Sequence, residues 1–176
     1  MNRSTHARAL PGIALVLCLA WTAPAHAQLS DDAPAWQEGE VPAAPAFRTT
    51  GLVDFQISTA SELAYGIDPA TLSLGQDGVV RYVMVARSRA GALNALYEGL
   101  RCASAEVKTY ARWAVAADGT GGAWRTTDKA EWRSLFAGHA SRPALVLART
   151  GLCDGVTPNA PVSRMLRDLK LGKSRD

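Results

Sequence analysis

Residues 79–87, VVRYVMVAR, constrain the fold more than any other stretch of the chain. Side chains alternate between the two faces of a strand. Val80, Tyr82, Met84 and Ala86 therefore share one face, and Val79, Arg81, Val83, Val85 and Arg87 share the other. Both sets are largely apolar, which places this strand at the centre of its sheet. Gly75-Gln76-Asp77-Gly78 precedes it as a hairpin signal, because glycine and aspartate tolerate positive φ.

The neighbouring segments continue the β pattern. Residues 52–58 alternate with period two, residues 65–68 form a strand fragment stopped by Pro69, and residues 71–74 are short and β-prone. In residues 93–102, Leu96, Glu98, Leu100 and Cys102 share one face, and Tyr97, Gly99 and Arg101 the other. In residues 107–115, Lys108, Tyr110 and Arg112 stand opposite Val107, Thr109, Ala111 and Trp113. A glycine-rich turn at 118–122 leads to a last short strand beginning at Trp124 and Arg125.

Residues 129–136 have weak helical character, and the apolar run at 144–152 is read as helix in preference to strand. Residues 161–169 carry Val162, Met165, Leu166 and Leu169 at helical spacing, with Asn159 or Ser163 as cap and Gly172 as stop. The predicted fold is α+β: a mainly antiparallel sheet of about five or six strands with a C-terminal helix packed on it.

Ahead of the domain, Arg3 and Arg8 flank a short apolar run that ends at Ala25-His26-Ala27. A basic start, a short apolar core and an A-x-A site make a secretory signal. Residues 1–27 are thus expected to be a cleavable signal peptide cut after Ala27, which makes the protein exported and periplasmic. The apolar run is shorter than the roughly 20 residues a membrane span needs, and no later stretch approaches that length. Residues 28–47, rich in Ala and Pro, read as an extended lead-in that Trp36 and Phe47 pin to the domain, and residues 48–172 as a single domain.

Cys18 leaves with the signal, so Cys102 and Cys153 remain. In an exported chain two cysteines most simply make one disulfide, the alternative being two buried thiols. There is no C-x-x-C motif for thiol redox chemistry. Arg3 and Arg8 also leave while no acid does, so the 19 Lys+Arg and 16 Asp+Glu of the full chain come nearly to balance. That balance gives no footprint for nucleic acid.

Trp36-Gln37-Glu38-Gly39-Glu40, Tyr65-Gly66-Ile67-Asp68, Asp77-Gly78-Val79-Val80-Arg81-Tyr82 and Tyr97-Glu98-Gly99-Leu100-Arg101-Cys102, in this order, resemble the cryptic-neisserial-protein-like family. The resemblance runs from about Trp36 to Leu169. It implies an exported domain and carries over no catalytic residue. The layout of Asp68, Val80-Arg81, Glu98 and Cys102 is more distantly similar to surface-adhesin E-like domains, which implies a small disulfide-bearing antiparallel sheet on a helix, with binding as an analogy only.

No catalytic, cofactor or metal constellation is read from the sequence. His139 is the one histidine after cleavage, too few for a zinc set, and Ser141 lacks a G-x-S-x-G setting. Glu98 shares a face with Leu96 and Leu100, as a buried carboxylate needing an arginine or other donors, or as an acid/base group. Arg81, Glu98, Arg101 and Arg112 are the ligand candidates, with tyrosines and tryptophans nearby in sequence. The expected function is a non-enzymatic envelope binding module for an envelope protein, a glycan or another anionic ligand, with no cofactor. The alternatives are a metal-independent hydrolase using carboxylates such as Glu98, and a structural accessory of an envelope complex recruited through the lead-in.

Overall fold

Six strands in the order β1 (Val53–Phe55), β2 (Leu63–Ile67), β4 (Val79–Ser88), β5 (Leu93–Arg101), β6 (Glu106–Val115) and β7 (Gly122–Thr126) make one antiparallel sheet. Short β3 (Ser73–Leu74) pairs with β4 and β8 (Arg133–Ser134) with β6. This is a computed structural model describing residues 35–172 except Thr120. The expected signal peptide and its cleavage after Ala27 lie outside the described residues. β4 is central as predicted, with Val79, Val80, Tyr82 and Val83 fully buried. The turn before it closes through Gly78, whose φ of 77° lies in the region glycine enters without a Cβ clash.

Against the first face, formed by Val80, Tyr82, Met84, Leu100 and Val107, packs a helical layer. It comprises α1 (Arg142–Leu147), a π-type turn (Ala148–Leu152) and α2 (Val162–Leu171), with a small hairpin of β9 (Cys153–Asp154) and β10 (Thr157–Pro158) between them. Residues 144–152 are thus helical, as predicted. Met165 and Leu169 of α2 are buried and Val162 and Leu166 half-buried, so the predicted face docks. Gly151 lets α2 approach closely: a Cβ there would stand 2.8 Å from the Leu169 nitrogen and 3.0 Å from the Met165 carbonyl oxygen. Cys102, just past β5, is bonded to Cys153, with Cα atoms 5.7 Å apart. The disulfide fastens the sheet to this layer.

The second face is covered by residues 36–48, which have no regular secondary structure. Val41, Ala44 and Phe47 lie against Val83, Val85, Ala95, Tyr97, Tyr110 and Ala111. Phe47 meets Trp113 and Trp124 with ring centroids 5.1 and 5.2 Å apart, and the Trp124 indole N–H donates to the Pro45 carbonyl at 2.9 Å. Trp36 and Phe47 both act as pins, but the compact unit begins at Trp36, ahead of the expected start at residue 48.

Three expectations need correction. Residues 129–136 are not helical: they turn and add β8 to β6. Neither Asn159 nor Ser163 caps α2; Pro161 holds the cap position and makes no side-chain bond, while Gly172 closes the helix at φ 60°. Alternation also breaks within β6. Glu98 pairs with Thr109 but Tyr97 pairs with Ala111, so Tyr110 is an extra residue, a β-bulge. Beyond it the phase reverses: Ala111 and Trp113 join Tyr110 on the second face, and Arg112 crosses to the first.

Candidate functional site

Three of the four sequence motifs quoted above meet at one seam on the second face. Asp77, in the hairpin before β4, takes Arg81 Nη1 at 3.2 Å and Nη2 at 2.6 Å, and the Val79 and Gly39 N–H groups at 3.1 and 3.0 Å. The Trp36 indole N–H donates to the Asp77 carbonyl at 2.9 Å. Glu38 accepts Lys108 Nζ at 2.7 Å and the Tyr110 hydroxyl at 2.6 Å, and lies 3.9 Å from Arg81. Arg101 stacks on the Trp36 ring at 3.7 Å and pairs with Glu106 at 3.6 Å. Gly99 belongs to the same design, since a Cβ there would overlap the Tyr110 hydroxyl.

The charges explain one another. Burial alone would raise the Asp77 carboxyl; the Arg81 guanidinium and the two N–H donors outweigh it and hold the group below its usual range. Burial, then Glu38 beside it, pushes the Tyr110 hydroxyl far up, so it stays a neutral donor. The fourth motif behaves alike: Asp68 takes the Arg48 backbone N–H at 2.8 Å and its Nη2 at 2.5 Å, closing the far end of the 36–48 segment. The motif residues thus strap the lead-in to the sheet.

Glu98 sits on the opposite face, 3% exposed, with its carboxyl bonded by the Tyr82 hydroxyl at 3.2 Å and the Thr109 hydroxyl at 3.1 Å. Neither Arg81 nor Arg112 pairs with it: Arg81 faces the other way and is held by Asp77. Burial is the main influence and pushes the carboxyl up, against the two hydroxyls and the more distant Arg133 and Arg112. A carboxyl raised on folding loses stability as pH climbs from its unfolded value, 4.5, through its folded one. Glu98→Gln removes that loss while its amide can still bond both hydroxyls. The variant's stability relative to the parent should be flat below pH 4.5 and rise in its favour towards neutral pH, read by denaturant melts across pH. A constant difference would mean that Glu98 does not titrate in this range.

Arg112, exposed on the first face, has a different setting. Its register partner on β7 is Arg125, also exposed, and among the described residues neither side chain has a hydrogen bond or ion pair. The four ligand candidates therefore do not converge. Arg81 and Arg101 serve the seam, Glu98 is enclosed, and Arg112 stands beside a second arginine, Arg125. Two clefts lie elsewhere. One of about 970 Å³ opens between β1–β2 and the end of α2 and includes none of the four. The other, about 530 Å³, runs between residues 41–44 and Tyr97, Lys108, Tyr110 and Trp124.

Among the described residues there is no cluster of three metal-ligating side chains and no helix long and apolar enough to cross a membrane. The model of the CNP1-like family matches residues 31–170, the span that contains the seam, the disulfide and both sheet faces. The chain belongs to the CNP1-like family. This agrees with the cryptic-neisserial-protein-like resemblance carried by the motifs, and the four motifs that suggested it are the strap and its anchors. No curated protein and no solved structure matches the chain.

Proposed function

We propose that this CNP1-like chain is exported to the periplasm and acts there as a non-enzymatic binding module for an anionic component of the envelope. The observation that carries the reading is the contrast between its two sheet faces. On the strapped face Arg81 is matched by Asp77, Lys108 by Glu38 and Arg101 by Glu106, while Arg87 donates to the Thr49 carbonyl. On the other, Arg112 and Arg125 stand together and exposed, with no ion pair among the described residues; Arg112 acts on the enclosed Glu98 only from a distance. The signal-like start and the Cys102–Cys153 bond support an oxidising compartment.

The hydrolase alternative loses its acid, because Glu98 is enclosed and engaged with Tyr82 and Thr109. Recruitment through the lead-in is likewise disfavoured, since Trp36 stacks with Arg101 and Phe47 packs on Trp113 of the protein's own sheet. The test is retention of envelope extract on the immobilised mature chain, its N-terminus at Gln28 verified by mass spectrometry on protein from the native host. An anionic component released by raised salt is the expected result, because exposed charge contacts are screened. Retention indifferent to salt, or a start at Met1, would overturn the corresponding half of the proposal.

A further inference from the structure

Arg112 on β6 and Arg125 on β7 are directly opposed in register, and the next pair along the same two strands and on the same face is Ala114 and Ala123. Directly opposed residues stand about 4.5–5.5 Å apart. Two guanidinium forks therefore border a shelf made by two methyl groups, with exposed Asn94 of β5 at its side. The helical layer leaves these side chains to solvent: Arg112, Arg125, Ala123 and Asn94 are all exposed. The nearest acid along β5, Glu98, is enclosed and makes no ion pair with either arginine.

Each guanidinium presents several N–H donors in a fixed plane and cannot deprotonate. A carboxylate has two oxygens and one charge, which a single fork satisfies in bidentate fashion. Two forks side by side call for an anion with more oxygens, spread in three dimensions, and more than one charge. We propose that Arg112 and Arg125 bind a phosphate group seated over Ala114 and Ala123, with the Asn94 amide as a neutral donor at the edge. This rests on the anionic-ligand reading above and names its chemistry.

The test uses the mature chain at low ionic strength, titrated by calorimetry with inorganic phosphate, with vesicles of phosphatidylglycerol or phosphatidylcholine, and with polyglutamate. Phosphate should bind the parent, and R112Q/R125Q should weaken it at least tenfold. Arg142→Gln, at the start of α1, should change it less than twofold. The double variant should melt no lower than the parent, because opposed like charges disfavour the sheet. Binding to phosphatidylglycerol but not phosphatidylcholine vesicles, lost in the double variant, supports a lipid headgroup as the source. Binding of inorganic phosphate alone supports a soluble one. Affinity for phosphate within twofold of the parent in R112Q/R125Q overturns the site. If polyglutamate binds through the two arginines and neither form of phosphate does, the phosphate assignment is overturned and the anionic reading survives. If no anion binds, both are overturned.

Discussion

Asp77→Ala is expected to destabilise the protein by roughly 3–5 kcal/mol, the cost of removing one partner of a buried ion pair. Arg81 and Asp77 side chains are 4% and 5% exposed, so the guanidinium left behind has little water to turn to. The value should fall near the lower end, because Glu38 lies 3.9 Å from Arg81 and takes over part of its charge. The variant also loses the acceptor for the Gly39 and Val79 N–H groups. A drop in melting temperature of roughly 10 °C follows for a domain of this size. The effect is pH-dependent with a determined sign. The folded-state carboxyl of Asp77 is held below its ordinary value of 3.8, so its stabilisation is fully present above that value and is lost as pH falls through the lowered one. The gap between Asp77→Asn and the parent should thus be widest at neutral pH and close in acid. Adding Arg81→Met to Asp77→Ala should recover part of the loss, since the stranded charge is gone. A double variant no more stable than Asp77→Ala would show that the loss comes from the strap and not from Arg81.

Replacing both Cys102 and Cys153 by serine should cost about as much. The cysteines are 51 residues apart, and the chain-entropy estimate for closing such a loop is about 4 kcal/mol. The bond joins the residue after β5 to the first residue of β9, so its loss releases the helical layer from the first face at one of its attachments. Thermal melts of the parent, the reduced parent and the double serine variant should place the last two together, roughly 10 °C or more below the first. Equal melting of all three would mean that the bond constrains little of the unfolded chain. Free thiols in denatured, unreduced protein would mean that it does not form.

The sheet was largely legible because its three long strands declare themselves through period two and the turn at Gly75–Gly78 fixes where β4 begins. The docked face of α2 was legible for the same kind of reason, its apolar residues falling at helical spacing. What the sequence concealed were features that depend on partners distant in the chain. Tyr110 leaves no mark as a bulge, because residues 107–115 alternate in either phase; only the opposing strand shows that Arg112 and Lys108 lie on different faces. Residues 129–136 lost their weak helical tendency to β6, which offered a strand partner to Arg133 and Ser134. The candidate site was half visible. The charge of Arg112 is legible in the sequence, but Arg125 stands opposite it only once the register is known.

The strap has a bearing on the order of events when the chain is made. Ribosomes deliver residues 36–48 before the sheet, yet Trp36 waits 41 residues for Asp77, Glu38 waits 70 and 72 for Lys108 and Tyr110, and Pro45 waits 79 for Trp124. Such distant closures come late, after the local hairpins that β4, β5 and β6 form with one another. Through that interval the valines and tyrosines beneath the strap stand uncovered. The strap, made before the sheet, is therefore the last part of the second face to be seated, and that face stays open until β7 has emerged to receive Phe47 and Pro45.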